Sequence, residues 1–158
     1  MNNTKKLVFE KIVCKQEMKE TVISQWMKPK GYDFVMTSLE LNVFNATAHL
    51  IFGKYDEFKK FAKDKHNFDT EYKSCTAMVV HIEDNGVQWH YILIQENDWT
   101  ADHYNTIVHE LHHLTHFLLD GKGVSYGIGG EEVFAYVQGY FMELVVRAFV
   151  MLKKKKKA

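Results

Sequence analysis

The stretch His109-Glu110-Leu111-His112-His113 reads H-E-x-x-H, and its reading decides how the rest of the chain is understood. On a helix, residues four apart stand one turn above each other. The imidazoles of His109 and His113 then share a face and can hold one zinc ion between them. Glu110 projects beside that pair, where a carboxylate can take a proton from water during attack on a carbonyl. The neighbouring residues favour a helix: Ile107, Leu111, Leu114 and Leu118 fall on one side at helical spacing, and His109, His113 and His116 fall on another. This predicts a helix with a buried stripe and a histidine stripe. It starts among the possible caps of Asn97-Asp98-Trp99-Thr100-Ala101-Asp102 and runs to about Asp120, where Gly121 ends it.

Upstream lies a hairpin. Thr76 to Glu83 and Val87 to Glu96 are apolar runs separated by Asp84-Asn85-Gly86, a turn sequence suited to two antiparallel strands. Before it, Tyr55 to Lys65 carries Phe58, Phe61 and Ala62 at helical spacing opposite charges, the pattern of a helix packed on a sheet. Tyr32 to Phe52 is rich in β-branched and aromatic residues, broken at Asn42 and Asn45, with a strand expected over Ala46 to Phe52. Leu7 to Val13 reads as a first strand, and Glu17 to Met27 as a helix stopped by Lys28-Pro29-Lys30-Gly31. Downstream, a glycine-rich link over 121–130 leads to a last helix from about Glu131 to Leu152.

These elements make an α+β chain of 158 residues, enough for one core but not two. We take residues 1–152 as a single domain and 153–158 as a basic, solvated tail with weak attraction for acidic partners. Hydrophobic residues at 46% and charged residues at 25% are globular proportions. Lys+Arg and Asp+Glu both count 20, so the overall charge marks no specific nucleic-acid binder. The nine histidines, in contrast, are concentrated, with five between His103 and His116. Cys14 and Cys75 are far apart and apolar-flanked, as reduced structural cysteines are. Leu7-Val8-Phe9 is broken at once by Glu10 and Lys11, which is no signal peptide, so the expected compartment is the cytoplasm. Val133 to Leu152 approaches a membrane span in length, but Gln138, Glu143 and Arg147 interrupt it, so no span is expected.

A catalytic zinc takes three protein ligands. His116 is a poor third, since seven residues at 1.5 Å set it about 10 Å along the axis from His109. Glu132 is the better candidate: eighteen residues intervene after His113, and it opens a helix that can run back against the first. Glu131 is the alternative, or else it only stabilises that helix start. Glu132, Tyr136, Gly139 and Glu143 share a face, and Ala135 and Gly139 remove bulk that would otherwise hold the two helices apart. Tyr136 is the first candidate to stabilise an oxyanion, ahead of Tyr126, His112 and His116. The strand Trp89 to Gln95 is a candidate sheet edge on which an extended peptide would add. His81 and His90 read as ordinary strand residues, Trp99 as a core anchor, and His103 with Asp102 as part of the helix start.

H-E-x-x-H followed eighteen residues later by Glu resembles the gluzincin group of zinc metallopeptidases, in its aminopeptidase-like spacing rather than the nineteen of thermolysin-like enzymes. The match covers roughly residues 87–143. The resemblance implies a zincin-like α+β domain: a small, mainly antiparallel sheet, an active-site helix and a C-terminal helix supplying the third ligand. It further implies His109, His113 and Glu132 as zinc ligands, Glu110 as catalytic base, and peptide or protein substrates. The chain departs from the large families in lacking their second domain. Its E-E-x-x-A-Y-x-x-G-Y run over 131–140 is similar to small H-E-x-x-H proteins of bacteriophages and bacteria. The competing expectation is a non-catalytic protein, such as a phage-encoded effector, in which the histidine helix or its metal stabilises a surface that grips a host protein. A third is a zinc hydrolase acting on a non-peptide amide.

Overall fold

A computed structural model describes residues 26–71, 75–95, 101–127 and 129–157. The expected strand at Leu7 to Val13, nearly all of the helix at Glu17 to Met27, Cys14, and the capping residues up to Thr100 with Trp99 lie outside the described residues. Two hairpin-like pairs build the sheet. Strand β1 (Phe34–Leu41) turns through a short 3-10 segment at Asn42–Phe44 into β2 (Ala46–Gly53). Asn45 closes that turn at φ 47°, a left-handed conformation that asparagine tolerates well. At the far end of the pair, Gly53 lies opposite Phe34, and a Cβ there would sit 2.4 Å from that of Phe34. Only glycine allows the two strands this approach.

Strands β3 (Ala77–Asp84) and β4 (Val87–Ile94) form the predicted hairpin. Asn85 and Gly86, at φ 52° and 76°, make its two-residue turn, whose twist matches that of the strands it joins. Helix α1 (Tyr55–His66) links the two pairs, and its end is closed by Asn67 at φ 51° with Phe68 N–H donating to the Ala62 carbonyl. The order across the sheet is β1-β2-β4-β3, with β2 and β4 parallel and the outer pairings antiparallel. The sheet is therefore mixed, with two antiparallel pairings as expected and a parallel one at its centre: α1 leads into β3, which runs opposite to β2, and the hairpin then reverses the chain so that β4 lies parallel to β2. A correction concerns Trp89 to Gln95, since β4 is interior and β3 is the edge on that side.

Each face of the sheet has its own core. Phe58, Phe61 and Ala62 of α1 cover Ile51, Val80, Tyr91 and Leu93. The opposite face meets α2 (Ala101–Asp120) through Ile107, Leu111, Leu114 and Leu118, all buried as the periodicity predicts, together with α3 (Glu131–Lys157). Phe134, Val137, Phe141, Leu144, Val145, Ala148 and Phe149 form the inward side of α3. A stretch of α3, Glu131–Lys153, is long and apolar enough by composition to cross a membrane; part of its apolar content is this core-facing side, while Tyr136, Val146, Val150 and Met151 are exposed. The helix continues past Leu152 to Lys157, since lysine is a good helix former and suits the C-terminal end of the helix dipole. Trp26 anchors the start of the described chain, its indole N–H donating to the Ala148 carbonyl at 2.7 Å.

Candidate metal and catalytic site

The histidine stripe of α2 faces solvent beside the β3 edge and α3. His109 and His113 are exposed and one turn apart, with Nε2 atoms 3.1 Å from each other and rings nearly perpendicular at 82°. Two nitrogens each about 2.0–2.1 Å from a tetrahedral zinc stand about 3.3 Å apart, so the pair already has close to the required separation. Without a metal, one imidazole donates to the other.

Glu110 turns toward the sheet. Its Oε2 accepts the Val79 N–H at 2.8 Å. In a two-residue hairpin the closing pair, Asp84 and Val87, exchanges backbone bonds, and alternation then assigns Ile82, Val80 and Met78 to the ladder. Ala77, Val79 and His81 present their backbone groups outward, away from β4. Glu110 therefore caps one outward N–H of the edge strand, a charge-assisted bond of about 1.5–3 kcal/mol. The carboxylate also acts on Cys75, whose thiol is pushed up to about 11 by burial first and by the Glu110 charge second. The thiol stays protonated at neutral pH, and a protonated thiol is a poor metal ligand.

The other residues singled out from the sequence are dispersed. His112 Nδ1 lies 3.3 Å from Gln138 Oε1 on α3, and the Gln138 amide donates to the Val108 carbonyl at 3.1 Å. The His116 ring meets Phe134 edge-on at 5.8 Å, and Tyr126 packs on the same Phe134 at 5.0 Å. Contacts between α2 and α3 thus run through Phe134 and Gln138. The expected approach through Ala135 and Gly139 is corrected: a Cβ on Gly139 would meet nothing within 4 Å. Glu132 is two residues, or about 200° of helix, from Phe134, so it projects on the opposite side. Tyr136, 41% exposed, shares that outer side with Glu143, whose carboxylate pairs with Arg147 as the spacing predicts. Glu131 precedes Gln138 by seven residues and lies on the side that turns toward α2. Among the described residues, no third His, Cys, Asp or Glu joins the His109–His113 pair. The two histidine nitrogens have the separation that two ligands of one ion would have; the structure does not bring Glu132 to them.

Sequence reading did not foresee the contacts of a second set of histidines in the sheet layers, with His90 buried and His66 and His81 partly so. His66 Nδ1 is 3.0 Å from Asp84 Oδ2 and its Nε2 is 2.8 Å from the Tyr91 hydroxyl. Burial, then the Asp84 charge, pushes the Tyr91 hydroxyl well above the usual tyrosine range, so it remains a neutral donor or acceptor. His81 and His90 are cross-strand partners with Nδ1 atoms 3.2 Å apart, and the His81 ring stacks on Phe117 of α2 at 5.6 Å. His90 is only 5% exposed. Burial, followed by the charges of His81, His49 and Lys122, pushes it down to about 4, so it is neutral in the folded protein. The one available signal was the hairpin register, which sets His81 opposite His90 once Asn85-Gly86 is taken as the turn.

No family model matches the chain, and neither the curated proteins nor the solved structures contain a match to it.

Proposed function

We propose that the protein is a zinc-dependent metallopeptidase of the zincin-like kind, with His109 and His113 as metal ligands and Glu110 as general base. The observation that carries this reading is the joint placement of the three side chains. Two imidazoles converge at 3.1 Å on an exposed face, and the carboxylate between them in sequence reaches the outward edge of β3. Zinc held by His109 and His113 would supply Lewis acidity toward water and a carbonyl. The chain itself supplies the proton traffic: Glu110 accepts a proton from the attacking water and returns it to the leaving amine. To do so its carboxylate swings from the Val79 N–H toward the histidines, a side-chain rotation on a fixed helix. Glu132 is the third ligand by spacing; a turn of the α3 start relative to α2 is needed for it to arrive, and Glu131 already lies on the nearer side. Tyr136 would stabilise the oxyanion only after the same rearrangement.

The second reading is a non-catalytic interaction protein, favoured by one specific observation: the outward placement of Glu132 leaves a two-histidine site. Metal content and activity separate the two readings. The purified parent loaded with zinc is expected to hold one equivalent, and His113→Ala to hold none. Glu110→Gln is expected to keep the metal and lose hydrolysis of a casein-type protein substrate by about 10²–10⁴-fold, the usual contribution of a positioned general base. A parent that binds no stoichiometric zinc removes the metallopeptidase reading; a parent that binds zinc while Glu110→Gln behaves identically favours the interaction protein.

A further inference from the structure

The central parallel pairing is shorter than its neighbours. β2 and β4 are in register only from His49 opposite Tyr91 to Phe52 opposite Ile94, whereas the outer pairings continue to Ala46 and to Val87. The two hairpins therefore part at this end, and an open cleft of about 580 Å³ lies in the fork. It sits toward the end of α2: Leu118, in its wall, is five residues past His113, about 7.5 Å along the helix and on its buried side, whereas His113 is exposed. The cleft is thus separate from the histidine pair.

Its chemistry is one-sided. His49, His90 and Lys122 line it with Thr47 and Gln88, and among the described residues no aspartate or glutamate does. Asp84 of the hairpin is engaged by His66, while Glu83 and Glu40 stand across the ladder from Gln88 and Thr47. The backbone adds polar groups: Val87, Trp89 and Tyr91 use theirs on β3, so Gln88 and His90 turn theirs toward β2, and there the ladder has ended. Trp89 supplies an aromatic wall and is held in place, stacked on His49 at 5.6 Å and parallel to Tyr91 at 6.4 Å with an interplanar angle of 7°. His66 packs against it at 5.2 Å. The low proton affinity of both His49 and His90 comes from burial first, and then from basic neighbours that disfavour a further positive charge: His66 beside His49; His81, His49 and Lys122 beside His90.

We propose that this fork is a binding site for a small anion that carries an aromatic ring. The anionic group is held by Lys122, His49 and the backbone of β4 beyond the last parallel rung, and the ring packs on Trp89. Lys122 supplies a positive charge for the anion, and a bound anion offsets the lowered proton affinity of His49 and His90, which gives a charged ligand an advantage over a neutral ring of equal area.

The test uses the full chain and phenyl phosphate as probe, with inorganic phosphate and phenol as its two halves. Imidazole and indole resonances are followed by NMR during each titration. Phenyl phosphate is expected to shift His49, His90 and Trp89 saturably and to raise the pKa of both histidines, and each half is expected to bind about tenfold or more weakly, the loss of roughly one interaction's worth of affinity. Lys122→Gln, at an exposed position, should weaken phenyl phosphate by about tenfold, while Lys59→Gln on the far side of α1 should change nothing. Trp89→Leu should abolish the preference over inorganic phosphate. No saturable shift, an affinity indifferent to Lys122→Gln, or phenol binding as tightly as phenyl phosphate would overturn the proposal.

Discussion

The protein carries two kinds of histidine, and they differ in what their nitrogens are left to do. His66, His81 and His90 are built into the sheet layers, and their ring nitrogens meet protein partners: Asp84 and Tyr91 for His66, and each other for the strand pair. His109 and His113 stand on the open side of α2 and, among the described residues, have each other as polar partner. Burial makes an unsatisfied polar group costly, so an interior histidine is matched on folding. A surface histidine has water as its alternative partner, and convergence of two such rings costs the fold little. The interior set contributes to stability, and the α2 pair is available for a ligand.

This contrast can be broken by substitution. The largest effect on the fold is expected at His66. His66→Ala leaves the Tyr91 hydroxyl and the Asp84 carboxylate without their partner and opens a cavity beneath Trp89, a loss of about 2–4 kcal/mol in urea unfolding with zinc content unchanged. A variant as stable as the parent would show that the interior network is dispensable.

Acid sharpens the comparison next. The folded pKa of His90, about 4, lies below the ordinary value of 6.5, so the unfolded chain takes up its proton first. Stability from this group is present in full above pH 6.5 and declines as pH falls from about 6.5 to about 4, by about 2–3 kcal/mol. His90→Leu is expected to flatten the urea midpoint over that window. A slope that persists unchanged in the variant assigns the acid sensitivity elsewhere. The smallest effect belongs to the open pair: His109→Ala or His113→Ala in metal-free protein should move stability by no more than about 0.5 kcal/mol, as exposed substitutions do. A loss comparable with that of His66→Ala would place the pair in the structural class and weaken the metal-site reading.

Much of the fold was legible where the cause is local. The hairpin follows from Asn85-Gly86, since those residues adopt the positive φ angles that such a turn requires. The buried stripe of α2 follows from the spacing of Ile107, Leu111, Leu114 and Leu118. So does the meeting of His109 with His113, because 3.6 residues per turn stacks positions four apart whatever surrounds the helix. Glu132 shows where local reasoning stops. Its separation of eighteen residues was read correctly, but a separation along the chain does not say which way a helix is rotated about its axis. That rotation is set by burying Phe134, Val137 and Phe141, which turns Glu132 and Tyr136 outward.

Among the described residues, the sequence by itself determined the three helices, the strands β2, β3 and β4, the turn of the hairpin and the pairing of His109 with His113, because each depends on backbone geometry within a few residues. The tertiary structure alone decided that β3 rather than β4 is the edge, that Glu110 reaches the Val79 N–H, that His66 meets Asp84 and Tyr91, and that β2 and β4 part into a fork. Those features depend on which strand lies beside which. That order is chosen by how the apolar faces of the whole chain can be buried together.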